Sequence, residues 1–243
     1  MTKKFVGSSG HGLKIRGAKH FIDEVDEARK VTNEVHRILT AEYNGCGSVY
    51  HDNTSTTQNQ NLQAIVNYHN RQQRDIDWSV HFNAASVIDG PRGVEVIYYD
   101  TKDLSAKVSA AISKVSGLKD RGAKQRTELY FLKNTNKPAI LLEICFVDSK
   151  ADVELYQKNF KAICAAIAEV LASHLGYTKT QAEQAPKEGQ ITEAKVMLND
   201  VKTIAAVIID GRTYAPVRDI ADLLGLNLIY NNESKITKLY EIK

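Results

Sequence analysis

The 243-residue chain is poor in cysteine and lacks any long apolar run. Its three cysteines, Cys46, Cys145 and Cys164, form no CxxC pair, and an odd count argues against a disulfide framework. Cys145 and Cys164 sit in apolar runs and read as buried small hydrophobes, whereas Cys46, in NGCGS, reads as a loop thiol. No motif around any of the three supports a nucleophile. No stretch reaches the roughly 18 consecutive apolar residues of a membrane span. The opening MTKKFVGSSGHG has two lysines but no apolar core of a secretory leader behind them. The expectation is a protein made in the cytoplasm without a signal peptide and with no membrane insertion. Charge of one sign is scarce as well: 32 Lys and Arg against 29 Asp and Glu leave only +3. That bias is too weak to indicate nucleic acid, which shows as a clustered basic face.

What is present is an alternation of strand-like and helix-like segments. Residues 3–8 read as a strand running into SSGHG, and DEVDEARKVTNEVHRIL places Val25, Ala28, Val31, Val35, Ile38 and Leu39 at helical spacing. Asp23 is the expected N-cap, with acidic residues crowding the first turn where the helix dipole favours them. GSVYHD is a weak strand, and NLQAIVNYHNRQQ repeats the helical period. DWSVHFNA and GVEVIYY read as strands, DLSAKVSAAISKV as an amphipathic helix and ELYFL as a short strand. AILLEICFV is an almost unbroken apolar run, as in a central strand covered on both faces. Residues 152–175 form a closing helix with Gly176 at its exit. The pattern predicts an α/β domain over residues 1–176 with a mixed, largely parallel sheet flanked by helices. The polar segment 177–193, with Pro186 and Gly189, reads as a linker. Residues 194–243 are expected to form a small α+β domain: a hairpin centred on Asp210-Gly211, the helix VRDIADLLG and two further strands.

Four polar residues stand in awkward places. His11 lies between two glycines after the first strand; Glu24 opens the first long helix; His81 is embedded in the strand WSVHFNA; and Glu143 ends the run AILLE. Singly, each has an ordinary reading. A strand histidine is more often a hydrogen-bonded core residue than a ligand, and a first-turn glutamate is usually paired with the helix dipole. Glu143 is harder to excuse, because a carboxylate among Ile, Leu, Cys and Phe costs several kcal/mol unless paired or neutralised. Jointly the four make sense. Functional groups in open α/β sheets collect beyond the carboxyl ends of the strands. Two histidines and one carboxylate with a fourth position open are the ligand set of catalytic zinc, and a further carboxylate can take a proton from water.

With these residues in place the chain resembles the zinc-dependent N-acetylmuramoyl-L-alanine amidases of the Amidase_3 type, which include phage endolysins and bacterial autolysins. The matching segments are SSGHG, DEVDEARKV, YHNRQQRDIDWSVHFNAAS, GVEVIYY, RGAKQRTELYFL and KPAILLEICFVDSKAD, in family order across residues 3–175. The resemblance implies that His11, Glu24 and His81 bind Zn2+ and that Glu143 is the catalytic base. Glu24 is preferred over Glu27, one turn away, because Ala28, Val31 and Val35 follow it at the family's spacing. It further implies bacterial peptidoglycan as substrate, cleaved between N-acetylmuramic acid and L-alanine after release of the protein to the wall. A stem-peptide zinc peptidase, a bacterial autolysin or sporulation amidase and a non-enzymatic wall-binding protein are the competing readings. Ser8 stands where the family commonly has Asp, Leu13 follows GHG in place of a glycine, and Cys145 replaces a glycine two residues after the base. These departures spare the ligands and base and bear on the active-site rim. Arg121, in RGAK, reads equally as an anion-binding group or a solvated charge.

The segment DGRTYAPVRDIADLLGLNLIYNNESKITKL resembles the stalk-like domain found at the N-terminus of copper amine oxidases and in bacterial envelope proteins. It holds no His or Cys, which argues against a metal there. Attachment to the cell wall is the functional expectation, a folding or dimerising appendage the plainer one.

Overall fold

A computed structural model describes residues 2–180, 192–198, 202–209, 212–224, 226–231 and 236–241. The chain divides into two compact units, residues 1–180 and 181–243. The first is built on β1 (Lys4–Ser9), α1 (Glu24–Tyr43), β2 (Cys46–Tyr50), α2 (Gln58–Arg71), β3 (Ile76–Asn83), β4 (Val94–Tyr98), α3 (Lys102–Ser116), β5 (Asp120–Gln125), α4 (Tyr130–Asn134), β6 (Ala139–Phe146) and α5 (Lys150–Leu175). The strands form one sheet in the order β2-β1-β3-β6-β4-β5. Strands β2, β1, β3 and β6 are mutually parallel; β4 pairs antiparallel with β6, and β5 parallel with β4. The sheet is mixed and largely parallel, flanked by helices, as the alternation of segments predicts.

Period-two alternation assigns each strand residue to a face. Ile76, Trp78, Val80 and Phe82 of β3, Val94 and Val96 of β4, and Ile140, Leu142 and Ile144 of β6 pack with the apolar stripes of α1, α3 and α5. On the opposite face, Ile97, Ala139 and Leu141 pack under Ile65 and Val66 of α2 and Phe131 and Leu132 of α4. That second cover is short. It lies over the amino-terminal half of β6, and His81, Glu143 and Glu95 continue the same face towards the carboxyl end.

One irregularity matters for the site. His81 pairs with Glu143 but Asn83 with Phe146, so β6 carries one extra residue. Such a bulge re-aims the side chains that follow it. Ile144 and Cys145 both enter the core under α1, α3 and α5, and Phe146 shares the face of Asn83. Cys145 is fully buried on the side away from Glu143, so this departure from the family pattern does not touch the active-site rim. Cys164 is likewise buried, and Cys46 is exposed at the start of β2.

Local signals explain the ends of the elements. Asp23 caps α1 by accepting from the Val25 N–H, and Thr57 with Gln60 forms a reciprocal capping box on α2. Gly176 closes α5 in the left-handed conformation. Two segments differ from the sequence expectation. ELYFL contributes to the short helix α4 rather than a strand, because Phe131 and Leu132 are adjacent residues that both reach the small core under α2. RGAKQ, which shows no strand pattern, is most of the edge strand β5.

In the second unit β7 (Thr192–Leu198), β8 (Lys202–Ile209) and β9 (Arg212–Tyr214) form an antiparallel sheet. Helix α6 (Val217–Leu224) and the hairpin β10 (Leu226–Asn231) with β11 (Ile236–Glu241) follow. The α+β character read from the sequence is present. The turn residues Asp210 and Gly211, and linker residues 181–191, lie outside the described residues. Tyr177 and Thr180, at the start of the segment read as linker, fall within the first unit and hydrogen-bond there, Tyr177 OH donating to the Lys3 carbonyl and Thr180 N–H to the Glu42 carbonyl at 2.8 Å.

Candidate active site

Three of the four singled-out residues converge. His11 leaves the carboxyl end of β1, Glu24 is the first residue of α1 and His81 lies near the end of β3. One ligating atom from each lies within 4.8 Å of the others. Glu24 Oε1 is 3.0 Å from His81 Nδ1 and 3.3 Å from His11 Nε2, and the two imidazoles meet edge to face with centroids 5.1 Å apart. Glu27, the rival for this role, points elsewhere: its carboxylate accepts from Lys30 Nζ and Tyr156 OH.

The Glu24 carboxylate is buried and fixed from two further directions, accepting the Phe82 N–H at 3.1 Å and the Ala18 N–H at 2.8 Å. Burial alone would raise its pKa, but hydrogen bonds from His11 and His81 outweigh that and hold the carboxyl below its ordinary range. The His11 loop is tethered at both sides. Gly10 N–H donates to the Val80 carbonyl and Leu13 N–H to that of Asp52, whose side chain is anchored by Asn61. Ser8, at the family's Asp position, is buried and donates to Ser79 Oγ.

Two glycines make the convergence possible. A Cβ on Gly10 would overlap the His81 ring, and one on Gly17 would overlap Glu24 Oε2 and the His11 ring. The sequence hints at neither need. The donor chemistry fits a divalent metal. Tetrahedral zinc with N and O ligands at 2.0–2.2 Å sets donor pairs roughly 3.4 Å apart, close to both Glu24–His distances.

Glu143 sits beside this cluster, paired in register with His81 on one side and Glu95 on the other. Its Oε2 is shielded from solvent and has no hydrogen-bond partner. Burial first, then the neighbouring Glu24 and Glu95 carboxylates, push its pKa well above the ordinary range. Glu95 was not singled out from the sequence, where GVEVIYY reads as ordinary strand alternation. It is buried and accepts from Asn83 Nδ2 at 3.0 Å and Arg121 Nε at 2.7 Å. Arg121 is thus neither a free surface charge nor wholly available to a ligand.

A second group without a sequence signal braces the site. Ser9 Oγ lies 2.9 Å from His51 Nδ1, and His51 Nε2 lies 2.9 Å from Asn33 Oδ1. With the amide oxygen accepting from Nε2, Nδ1 accepts the Ser9 hydroxyl proton. The relay links the end of β1, the loop after β2 and helix α1. Burial, reinforced by Arg29, pushes the His51 pKa down to about 4. The buried His69, beside Asp77, is also lowered, chiefly by burial. The unfolded chain therefore binds protons near pH 6.5 that the folded state refuses. Stability from these histidines is present above pH 6.5 and is lost as pH falls from there towards 4. The melting temperature of the metal-free protein is expected to drop across that window, with a smaller drop for His51→Gln. An equal drop would show that His51 does not contribute.

Fold and site together define a mixed α/β protein carrying a His–Glu–His donor set at the carboxyl ends of its strands. The chain belongs to the N-acetylmuramoyl-L-alanine amidase (Amidase_3) family, whose pattern matches residues 8–173. It is 31% identical over 176 residues to an uncharacterized protein of Clostridium perfringens (strain 13), covering 69% of this chain and 51% of the relative. It is 30% identical over 202 residues to the endolysin of Bacillus phage SPP1, covering 77% of this chain and 72% of that protein. Among solved structures, the catalytic domain of the CD27L endolysin targeting Clostridia Difficile superposes with a TM-score of 0.64 at 22% identity, covering 70% of this chain and 97% of the domain. The chain spans about half the length of the Clostridium perfringens relatives it matches, 51% and 52%.

Proposed function

We propose that the protein hydrolyses the amide bond between N-acetylmuramic acid and L-alanine in bacterial peptidoglycan, in a zinc-dependent reaction and as a phage endolysin. The observation that carries the reading is the His11–Glu24–His81 donor cluster standing next to a carboxylate, Glu143, whose inner oxygen has no partner. The 30% identity to a phage endolysin over 72% of its length supports the lytic role. Among the described residues no helix is long and apolar enough to cross a membrane.

His11, Glu24 and His81 would hold the zinc. Bound there, it supplies a Lewis acid for the scissile carbonyl and lowers the pKa of water towards neutrality. Glu143 accepts a proton from the attacking water and returns it to the leaving L-alanine nitrogen, a role suited to a carboxylate whose proton affinity is raised by its surroundings. Glu24 keeps both imidazoles aimed inward, and the Ala18 and Phe82 amides keep Glu24 itself from turning. We further assign residues 194–243 to wall attachment, by their resemblance to envelope-protein stalk domains.

Digestion of purified walls tests the reading. New L-alanine amino termini are expected, abolished by a chelator and restored by zinc. Cleavage that ignores the chelator, or new termini on another residue, would contradict it.

A further inference from the structure

The topology brings two arginines to the site's rim. Strands β4 and β5 run opposite to β6, so their amino-terminal ends lie where β3 and β6 finish. Arg92 stands two residues before β4, and Arg121 is the second residue of β5. The bulge in β6 turns Phe146 to the face of Asn83, and both arginines lie on it. The guanidinium carbons of Arg121 and Arg92 are 5.1 Å and 5.3 Å from the ring centroid. Phe146 itself is buried beneath them.

Two like charges on one ring repel unless something compensates them. Glu95 compensates one: its two oxygens are taken by Arg121 Nε and Asn83 Nδ2. The Arg92 backbone N–H donates to Asp152 Oδ1 at 2.9 Å, while its side chain has no carboxylate partner among the described residues. Its terminal nitrogen donates only to Ser86, and its buried Nε has no partner at all. Arg121 uses one nitrogen on Glu95, and its side chain remains 36% exposed. The rim therefore carries terminal guanidinium nitrogens of both arginines beside the Glu95 and Asp152 carboxylates, and such nitrogens can pair with the carboxylate of a ligand.

Building on the proposed amide hydrolysis, we infer that Arg92 and Arg121 bind the carboxylate of the second stem-peptide residue. The reach agrees. From His81 to Glu95 are two inter-strand steps, roughly 10 Å. An extended peptide rises about 3.5 Å per residue, which carries the second residue's carboxylate about 7 Å beyond the scissile nitrogen. This carboxylate is free in some walls and amidated in others, so the pair makes the enzyme selective for the free form.

Muramyl dipeptide with that carboxyl free, and the same compound amidated, test the assignment. The zinc-loaded protein is expected to favour the free form about tenfold in kcat/KM, through KM. In Arg92→Ala the ratio should fall close to one. Arg121→Lys, which keeps a cation beside Glu95 but loses the fork, should reduce it as well. Calorimetric binding of the free and amidated L-Ala–D-Glu dipeptides should follow the same order. A wild-type ratio near one, or variants that keep the wild-type ratio, would overturn the subsite. If neither muramyl compound is cleaved, the hydrolysis reading fails instead, and dipeptide binding alone decides the subsite: preference for the free form supports it, and equal binding overturns it.

Discussion

Glu143→Gln is expected to keep the metal and lower turnover of a muropeptide by two to four orders of magnitude, the usual worth of a positioned general base. The substitution is close to isosteric, so the bulge and the His81–Glu143–Glu95 row should survive. Stability should hold or rise. Glu143 is half-buried near two other carboxylates, and its shielded Oε2 has no partner. Removing that charge relieves a desolvation cost. Zinc content measured alongside turnover separates this role from ligation. If Glu143→Gln lost the metal while Glu24→Gln retained it, the two carboxylates would have exchanged roles.

Gly10→Ala should be nearly as damaging, although it alters no polar group. The added methyl would occupy the space of the His81 imidazole, so either that ring or the end of β1 carrying His11 must shift. Supporting residues that only orient ligands change metal affinity by 10- to 100-fold, and displacing a ligand outright should meet or exceed that. Competition with a chromogenic chelator reads the loss. Gly90→Ala is the control, because a Cβ there meets nothing within 4 Å. Wild-type zinc affinity in Gly10→Ala would show that the loop yields easily and that the observed convergence is not required for binding.

The legible part of the site was the part that violates ordinary composition. Glu143 interrupts an apolar run and His81 an apolar strand, so both stand out in the sequence as residues in need of a reason. Glu95 was hidden because an alternating strand permits a polar residue at every second position. Only the strand order reveals that this one faces Glu143. The β6 bulge has no local signature in LEICFV, yet it decides that Cys145 enters the core and Phe146 faces the rim. His51 was hidden for a similar reason, since its partners Ser9 and Asn33 lie 42 and 18 residues away. For the fold, long periodic helices and apolar strands were readable. The edge strand β5 was not, being exposed, polar and paired only with β4. Nor was α4, because five residues are too few for a period to distinguish helix from strand.

The most direct measurement is wall digestion in water enriched in oxygen-18, followed by mass spectrometry of the fragments. Hydrolysis at the muramic acid–alanine bond should place the label in the lactyl carboxylate of the glycan, with every stem peptide released carrying a free, unlabelled L-alanine amine. Label found instead in a carboxylate within the stem peptide would mean that the site acts as a peptidase, and the proposed bond would be wrong.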